Sequence, residues 1–149
     1  MSTKNIIYKI QTADYNDVFG HLQKCDENFV PPLRNVTDIA AYSQKIVKNS
    51  VTFEAWIGNE LVGLVAAYFN DEKTGSGFIT NVSTVKEFFG NGIAAKLMKN
   101  CCVYAAKHQF STISLEVSRH NSSAIQLYKK YNFIPTAEKS DLITMKKDL

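Results

Sequence analysis

The segment FFGNGIAAKLM, residues 88–98, places two glycines, Gly90 and Gly92, directly before a run of helix-forming residues. Glycines at a helix start let the backbone approach a ligand closely, and the first N–H groups of a helix have no partner within it. These amides carry partial positive charge, so the segment predicts a site for phosphate or another anion. The alternative is a turn that needs glycine only for its backbone conformation.

Residues 90–95 also fit the dinucleotide-binding pattern G-x-G-x-x-A, and Glu116 follows at about the spacing of its acidic residue. Two features argue against that interpretation. Residues 86–89 intervene between the preceding strand and the first glycine. That strand is polar at Thr80, Asn81, Ser83 and Thr84, whereas a dinucleotide site follows a buried apolar strand.

A second motif follows in LEVSRHNSSAIQLYKKYNF, residues 115–133. Together the two segments resemble the GCN5-related N-acetyltransferases (GNAT). The family pattern Q/R-x-x-G-x-G/A corresponds to residues 89–94. Its pattern Asn-x-x-Ala-x-x-Leu-Tyr-x-x-x-Gly-Phe corresponds to Asn121, Ala124, Leu127, Tyr128 and Phe133, with Asn132 in the glycine position. The resemblance covers nearly the whole chain.

The resemblance implies that acetyl-CoA is the cosubstrate. We expect no metal, because His21 and Cys25 have the spacing of two ligands but no second pair completes a site. The expected cofactor-binding residues are Val82, Ser83, Thr84, Phe89, Gly90, Asn91, Gly92, Ile93, Ala94, Ala95, Asn121 and Tyr128. The pyrophosphate would bind at the glycine segment and the pantetheine arm beside the preceding strand. Phe89 departs from the family's Arg or Gln, which predicts a phosphate site made mainly of backbone amides.

For catalysis, the resemblance implies that Tyr128 is a general acid for the leaving thiolate. Glu116 is the leading candidate for the base that frees the attacking amine of its proton, directly or through water. Direct attack through a tetrahedral intermediate would then give the amide, with backbone N–H groups stabilising the oxyanion. The alternative is a non-catalytic acyl-CoA-binding regulatory module.

The resemblance also implies an amine acceptor. We expect a primary amine of a small molecule, with amino sugars among the candidates; a peptide N-terminus or lysine is the alternative. Arg34, Glu54 and Tyr68 are the expected acceptor-binding residues, and Arg34 would bind an anionic part of the acceptor.

The pattern of elements predicts how these residues are positioned. A strand and two helices come first, the second capped by Asp38 and the first by Thr12. A hairpin and a β-α-β-α-β run follow. The fold class is therefore α/β, or α+β mixed. We expect a central mixed sheet of six to seven strands, flanked by about four helices, in a single domain over residues 1–149.

Composition limits the remaining possibilities. Hydrophobic residues make up 45% and charged residues 21% of the chain, as in ordinary globular proteins. A net charge of +3 is too small to indicate nucleic acid as a partner. The N-terminus has no apolar signal segment, and three cysteines do not suggest a disulfide framework. We therefore expect a cytoplasmic protein, monomeric or homodimeric, with no membrane partner.

Overall fold

The structure is a computed structural model that describes residues 5–149, and all its strands join one mixed sheet. The strands are β1 Ile7–Ile10, β2 Val51–Ile57, β3 Glu60–Asp71, β4 Ser76–Thr84, β5 Thr112–Ser118, β6 Ile134–Lys139 and β7 Leu142–Asp148. The α-helices are α1 Tyr15–Cys25, α2 Ile39–Asn49, α3 Ile93–Lys107 and α4 Ser122–Lys130. The strand order is β1-β2-β3-β4-β5-β7-β6. The predicted fold class is confirmed.

The sheet separates two hydrophobic cores because successive side chains of a strand point to opposite faces. On one face α1 and α2 place Leu22 and Ile46 against Leu64 of β3. On the other face α3 places Leu97 in the core that includes Val65, the next residue of β3. Burying each such side chain contributes about 1.5–3 kcal/mol, so the two cores fix the helices against the sheet.

A gap opens in the sheet between β4 and β5, the one parallel pair among the strands of residues 5–149. Their pairing extends only from Ser76 opposite Thr112 to Ile79 opposite Leu115. At that point β4 carries a bulge: Ala66 and Ala67 of β3 face Asn81 and Ile79, which leaves Thr80 as the extra residue. A bulge bends its strand and interrupts the ladder. Beyond it the end of β4 and the end of β5 lie apart, with backbone groups facing the gap.

The start of α1 differs from the sequence prediction. Asp14, not Thr12, caps the helix: its side chain accepts from the backbone N–H of Asp17, and the side chain of Asp17 accepts from that of Asp14. Thr12 instead binds the buried carboxylate of Glu54. The predicted cap of α2, Asp38, is confirmed. No helix in the described part of the chain is long and apolar enough to span a membrane.

Candidate functional site

The two glycines between β4 and α3 adopt left-handed backbone conformations, with φ of 82° at Gly90 and 71° at Gly92. A Cβ at either position would meet no atom within 4 Å, so the conformation rather than crowding requires glycine. The side chain of Asn91 folds back and donates from Nδ2 to the carbonyl oxygen of Phe88 at 2.9 Å. The loop is therefore held to the short helical turn Lys86–Phe88 that precedes it.

The first amides of α3 are free to bind an anion. Gly92 caps the helix without a side chain, and the first intrahelical hydrogen bond runs from the Lys96 N–H to the Gly92 carbonyl at 3.0 Å. Within residues 5–149, the N–H groups of residues 93–95 donate to no backbone carbonyl. These amides lie at the positive end of a 15-residue helix, where a phosphate is stabilised.

The loop opens into a cavity of about 440 Å³ that follows the end of β4 and reaches α4. We call this the glycine-loop cavity. Its lining residues are Asn28, Phe29, Val82, Ser83, Thr84, Phe88, Phe89, Gly90, Gly92, Ile93, Ala94, Ala95, Asn121, Ser123, Ala124, Leu127 and Tyr128. All the predicted cofactor-binding residues except Asn91 lie on this wall.

Sequence reasoning missed several residues of the same wall. Ala124 and Leu127 stand in the motif that contains Tyr128, so their helical spacing is a signal that was present. Asn28 and Phe29 come from the connection between α1 and α2, where no periodic pattern predicts their position.

Phe89 lies in this cavity where the family pattern has a polar side chain, and 54% of it is exposed. No described residue of this wall carries a positive side chain. Lys96, a candidate source of compensating charge, has its Nζ 5.9 Å from the centre of the Tyr8 ring. An anion at the glycine loop would therefore depend chiefly on backbone amides.

Tyr128 of α4 lies where the glycine-loop cavity meets a second cavity. Only 7% of the residue is exposed, and burial raises the pKa of its phenol to about 12. The Tyr128 hydroxyl forms no hydrogen bond to any described residue. It is not fully enclosed by protein, so a ligand can reach it. Tyr128 is thus a protonated phenol at neutral pH, with a free donor in the region shared by two cavities.

Asn121 also contributes to both cavities. Its Oδ1 caps α4 by accepting from the N–H of Ala124 at 3.3 Å. The capping bond fixes which end of the side-chain amide faces the helix, since a backbone N–H requires an acceptor. The Nδ2 group therefore remains as a donor toward a ligand.

The second cavity, about 350 Å³, lies in the gap between β4 and β5, and we call it the strand-gap cavity. The connection between α1 and α2 forms one side. Its lining residues are Phe29, Val30, Pro31, Leu33, Val36, Thr37, Tyr42, Thr80, Asn81, Val82, Glu116, Val117, Ser118, Asn121, Tyr128 and Leu142. Glu116 and Tyr128, the two predicted catalytic residues, both lie on this wall.

Glu116 is solvent-accessible on β5, where its backbone is opposite Thr144 of β7. Its carboxylate forms no ion pair with a described residue. A free carboxylate in a cavity shared with a protonated phenol provides a proton acceptor and a proton donor around one space.

Glu54, a predicted acceptor-binding residue, lies on neither wall and is fully buried on β2. Its carboxylate accepts hydrogen bonds from the Thr12 N–H and hydroxyl, the Ala13 N–H, the Thr52 hydroxyl and the Trp56 indole. Burial alone would raise the pKa of Glu54, but these donors outweigh it and lower that pKa. The carboxylate anchors the chain before α1 to the sheet.

The structure also places Arg34 and Tyr68 outside both cavity walls. The Arg34 guanidinium pairs with Asp26 and Glu27, each at 2.5 Å. The Tyr68 hydroxyl is buried with no hydrogen-bond partner among the described residues, and burial raises its pKa. Of the three predicted acceptor-binding residues, none faces the space that contains Glu116 and Tyr128.

A buried hydrogen-bond chain connects α1 to β4. His21 Nδ1 lies 2.9 Å from the Leu61 carbonyl and Nε2 lies 2.8 Å from Ser83 Oγ. Burial lowers the pKa of His21 to about 4, so the ring is neutral and Nδ1 carries the proton that the carbonyl accepts. The Ser83 hydroxyl lies between Nε2 and the side chain of Asn81, whose Oδ1 is 2.8 Å from Ser83 Oγ, so the three side chains form one buried polar chain.

Within residues 5–149, no group of three or more His, Cys, Asp or Glu side chains is arranged to hold a metal ion. His21 and Cys25, four positions apart on α1, are both buried, with the Cys25 sulfur 3.7 Å from Nε2. They pack against β4 and contribute to the support of that strand.

The sequence model of the acetyltransferase (GNAT) family matches residues 8–133. No curated protein matches the sequence closely enough to serve as a relative. The match spans both glycines, Glu116, Asn121 and Tyr128, and therefore all the lining residues that the sequence singled out.

Solved structures give the same fold at low identity. The PaiA N-acetyltransferase from Thermoplasma acidophilum, in complex with coenzyme A, has a TM-score of 0.75 and 13% identity over 96% of this chain and 99% of its own. The ribosomal-protein-S18-alanine N-acetyltransferase from Escherichia coli has a TM-score of 0.73 and 14% identity over 95% and 94%. Arabidopsis thaliana NAA60, in complex with a bisubstrate analogue, has a TM-score of 0.73 and 18% identity over 97% and 98%.

Proposed function

Because the chain belongs to the acetyltransferase (GNAT) family, which is acetyl-CoA-dependent, we propose that it transfers an acetyl group to a primary amine of a small molecule. The observation that carries this proposal is the position of Tyr128 at the junction of two cavities. One cavity has the features of a cofactor site and the other contains a free carboxylate. A group transferred between two substrates must pass through such a junction.

The glycine-loop cavity fits coenzyme A by its chemistry. Free amides at a helix N-terminus suit a pyrophosphate, and the strand end beyond the bulge offers backbone groups to an extended pantetheine arm. Acetyl-CoA would supply an activated acetyl thioester. In this assignment residues 89–95 bind the phosphates, while Val82, Ser83, Thr84 and Asn121 bind the arm.

Glu116 would take a proton from the acceptor ammonium, because only a neutral amine is a nucleophile. Backbone N–H groups at the end of β4 would stabilise the negative charge that develops on the acetyl oxygen. Tyr128 would donate its proton to the departing sulfur, and the proton released from the amine nitrogen restores the phenol. The products are an N-acetylated amine and coenzyme A.

The first test is a Tyr128→Phe variant assayed with acetyl-CoA and a panel of primary amines. We expect kcat to fall by about 10²- to 10⁴-fold, because the only group removed is the proton donor. Acetyl-CoA affinity, measured by calorimetry, should stay unchanged, since the ring remains in the wall. Tyr131→Phe is the matched control, a second tyrosine hydroxyl at the end of the same helix.

Full activity of Tyr128→Phe would remove the phenol from the mechanism. Tight acetyl-CoA binding by the wild type with no turnover of any amine would instead favour a regulatory module that senses acyl-CoA.

A further inference from the structure

The walls of the strand-gap cavity carry an informative distribution of charge. Within residues 5–149, Glu116 is the one charged side chain among the residues that line it. The rest of the wall is dominated by hydrocarbon and aromatic surface from the connection between α1 and α2, with Leu142 on the other side.

The cations next to this wall in the chain are paired with carboxylates. Arg34, which follows the lining residue Leu33, is held by Asp26 and Glu27. Arg119, which follows Ser118, pairs with Glu138 and Asp141. A phosphate or carboxylate brought into this cavity would therefore meet no free positive side chain of the described wall, and an unpaired buried anion is costly.

The neutral polar side chains of the wall are also largely occupied. Tyr42 donates to the Thr80 carbonyl at 2.7 Å and contacts its hydroxyl at 2.9 Å. Asn81 is bonded to Ser83, and Ser118 Oγ accepts from the N–H of His120 at 3.2 Å. A peptide brings a donor and an acceptor with every residue, each of which needs a partner when buried. The side chains of the wall offer few such partners.

We infer that the acceptor is a monoamine carried on an uncharged hydrocarbon body, an alkylamine or arylalkylamine. This inference rests on the proposed function, since it names the acceptor class for the same site. Glu116 would attract the ammonium group and then accept its proton, while the apolar wall binds the body. Amino acids, phosphorylated amino sugars and peptide N-termini would be poor acceptors.

The test compares amines that differ in one group. Three of the amines share a six-carbon chain and differ only at the end far from the amine. Hexylamine has no polar group there, 6-amino-1-hexanol has a hydroxyl and 6-aminohexanoate has a carboxylate. Glucosamine 6-phosphate and an alanine tetrapeptide amide represent the other classes. Each is assayed for turnover with acetyl-CoA and, separately, for binding to the CoA-saturated wild-type protein by calorimetry.

We expect kcat/KM and affinity for hexylamine to exceed those for 6-aminohexanoate by at least about tenfold, because the carboxylate lacks a partner. Val36→Arg, at an exposed position on the wall, should narrow that ratio, while the uncharged Val36→Gln should leave it unchanged. Equal or better use of 6-aminohexanoate, the phosphorylated sugar or the peptide would overturn the inference.

The turnover assay tests the proposed function, and the binding measurement tests this inference. Absence of turnover with every amine would contradict acetyl transfer to small amines. Calorimetry then still decides the charge preference of the cavity: tighter binding of hexylamine supports it, and equal or absent binding of hexylamine overturns it.

Discussion

The two cavities that meet at Tyr128 are built in different ways. At the glycine loop the chemically active groups belong to the main chain: two left-handed glycines and the first amides of α3. In the strand-gap cavity the active groups are side chains, with Glu116 set in a wall that the connection between α1 and α2 supplies. The glycine-loop cavity depends on backbone conformation. The strand-gap cavity depends on the side chains of the connection between α1 and α2.

Because of this difference, the two cavities tolerate different substitutions. A backbone site is insensitive to most side-chain changes but sensitive to anything that alters φ and ψ. A side-chain site reacts to single substitutions and can change ligand without a change of fold. Substitutions that probe one cavity at a time therefore test whether the two are independent, and the bulged strand β4 is the element they share.

Among substitutions that change only one of the two cavities, the largest effect is expected in the strand-gap cavity. Glu116→Gln should lower kcat/KM for the acceptor by about 10²- to 10³-fold, because the amide cannot accept the proton of the ammonium. The dissociation constant of acetyl-CoA should not change, since Glu116 does not line the glycine-loop cavity. Steady-state kinetics over a range of pH, together with calorimetry, measures both quantities.

Glu138→Gln is the control for this prediction, because Glu138 is an exposed glutamate on β6 outside both cavities. A rise in the acceptor KM with kcat unchanged would show that Glu116 positions the acceptor and is not the base.

A second prediction concerns the support beneath β4, which both cavities share. The buried His21 has its pKa lowered to about 4, whereas the unfolded chain takes up a proton near pH 6.5. The unfolded state therefore binds more protons between these values, and stability falls as pH decreases through this window. At the lower end of this pH window the free energy of unfolding has decreased by about 3 kcal/mol.

Chemical denaturation at intervals from pH 7 to pH 4.5 measures this slope. His21→Leu should be less stable at pH 7, because Ser83 and the Leu61 carbonyl lose a partner, but its slope should be flatter. His120→Gln, which removes an exposed histidine, is the control for the loss of one histidine side chain. A wild-type slope in His21→Leu would assign the pH dependence to other groups.

The glycine-loop cavity is tested by changing the conformation of its loop. Gly92→Val should raise the dissociation constant of acetyl-CoA by at least about tenfold, since a β-branched residue at φ 71° is strained and shifts the loop. Phe89→Ala should change it much less, because the half-exposed ring supplies no polar group to the phosphates. Gly58→Val strains a remote hairpin turn with φ 57° and should leave affinity unchanged.

Equal losses for Gly92→Val and Phe89→Ala would mean that the phosphates depend on the side chain at position 89 as much as on the loop. The distinction between the two cavities would then no longer hold.

The residues that line the glycine-loop cavity could largely be picked out from the sequence, because their determinants are local. Short motifs specify the positive φ at Gly90 and Gly92. They also specify the spacing of Asn121 and Tyr128, and neither feature depends on distant contacts. The alternation of apolar residues likewise predicted the strands and the mixed sheet that positions these motifs. Local patterns of this kind survive in a single sequence.

The acceptor side was less accessible to sequence reasoning because its determinants are tertiary. Glu54 looks like a functional carboxylate in the sequence, but five donors from distant segments enclose it. Thr12 was predicted to cap α1, yet it is one of those donors. Phe29 lies in a connection without periodicity, so nothing local predicts that it lines both cavities.

The smallest effect is expected for Arg34→Ala, which tests the sequence expectation that Arg34 binds an anionic part of the acceptor. In the structure its guanidinium is already held by Asp26 and Glu27 beside the wall, so the acceptor KM should stay within about twofold of wild type. Because these pairs hold Arg34 to the start of the connection that follows α1, a slight fall in melting temperature should accompany the change. A large rise in KM for anionic amines, with no effect on hexylamine, would instead mean that Arg34 leaves its carboxylates to bind ligand. The strand-gap cavity would then acquire its charge on binding, and the preference for an uncharged body would fail with it.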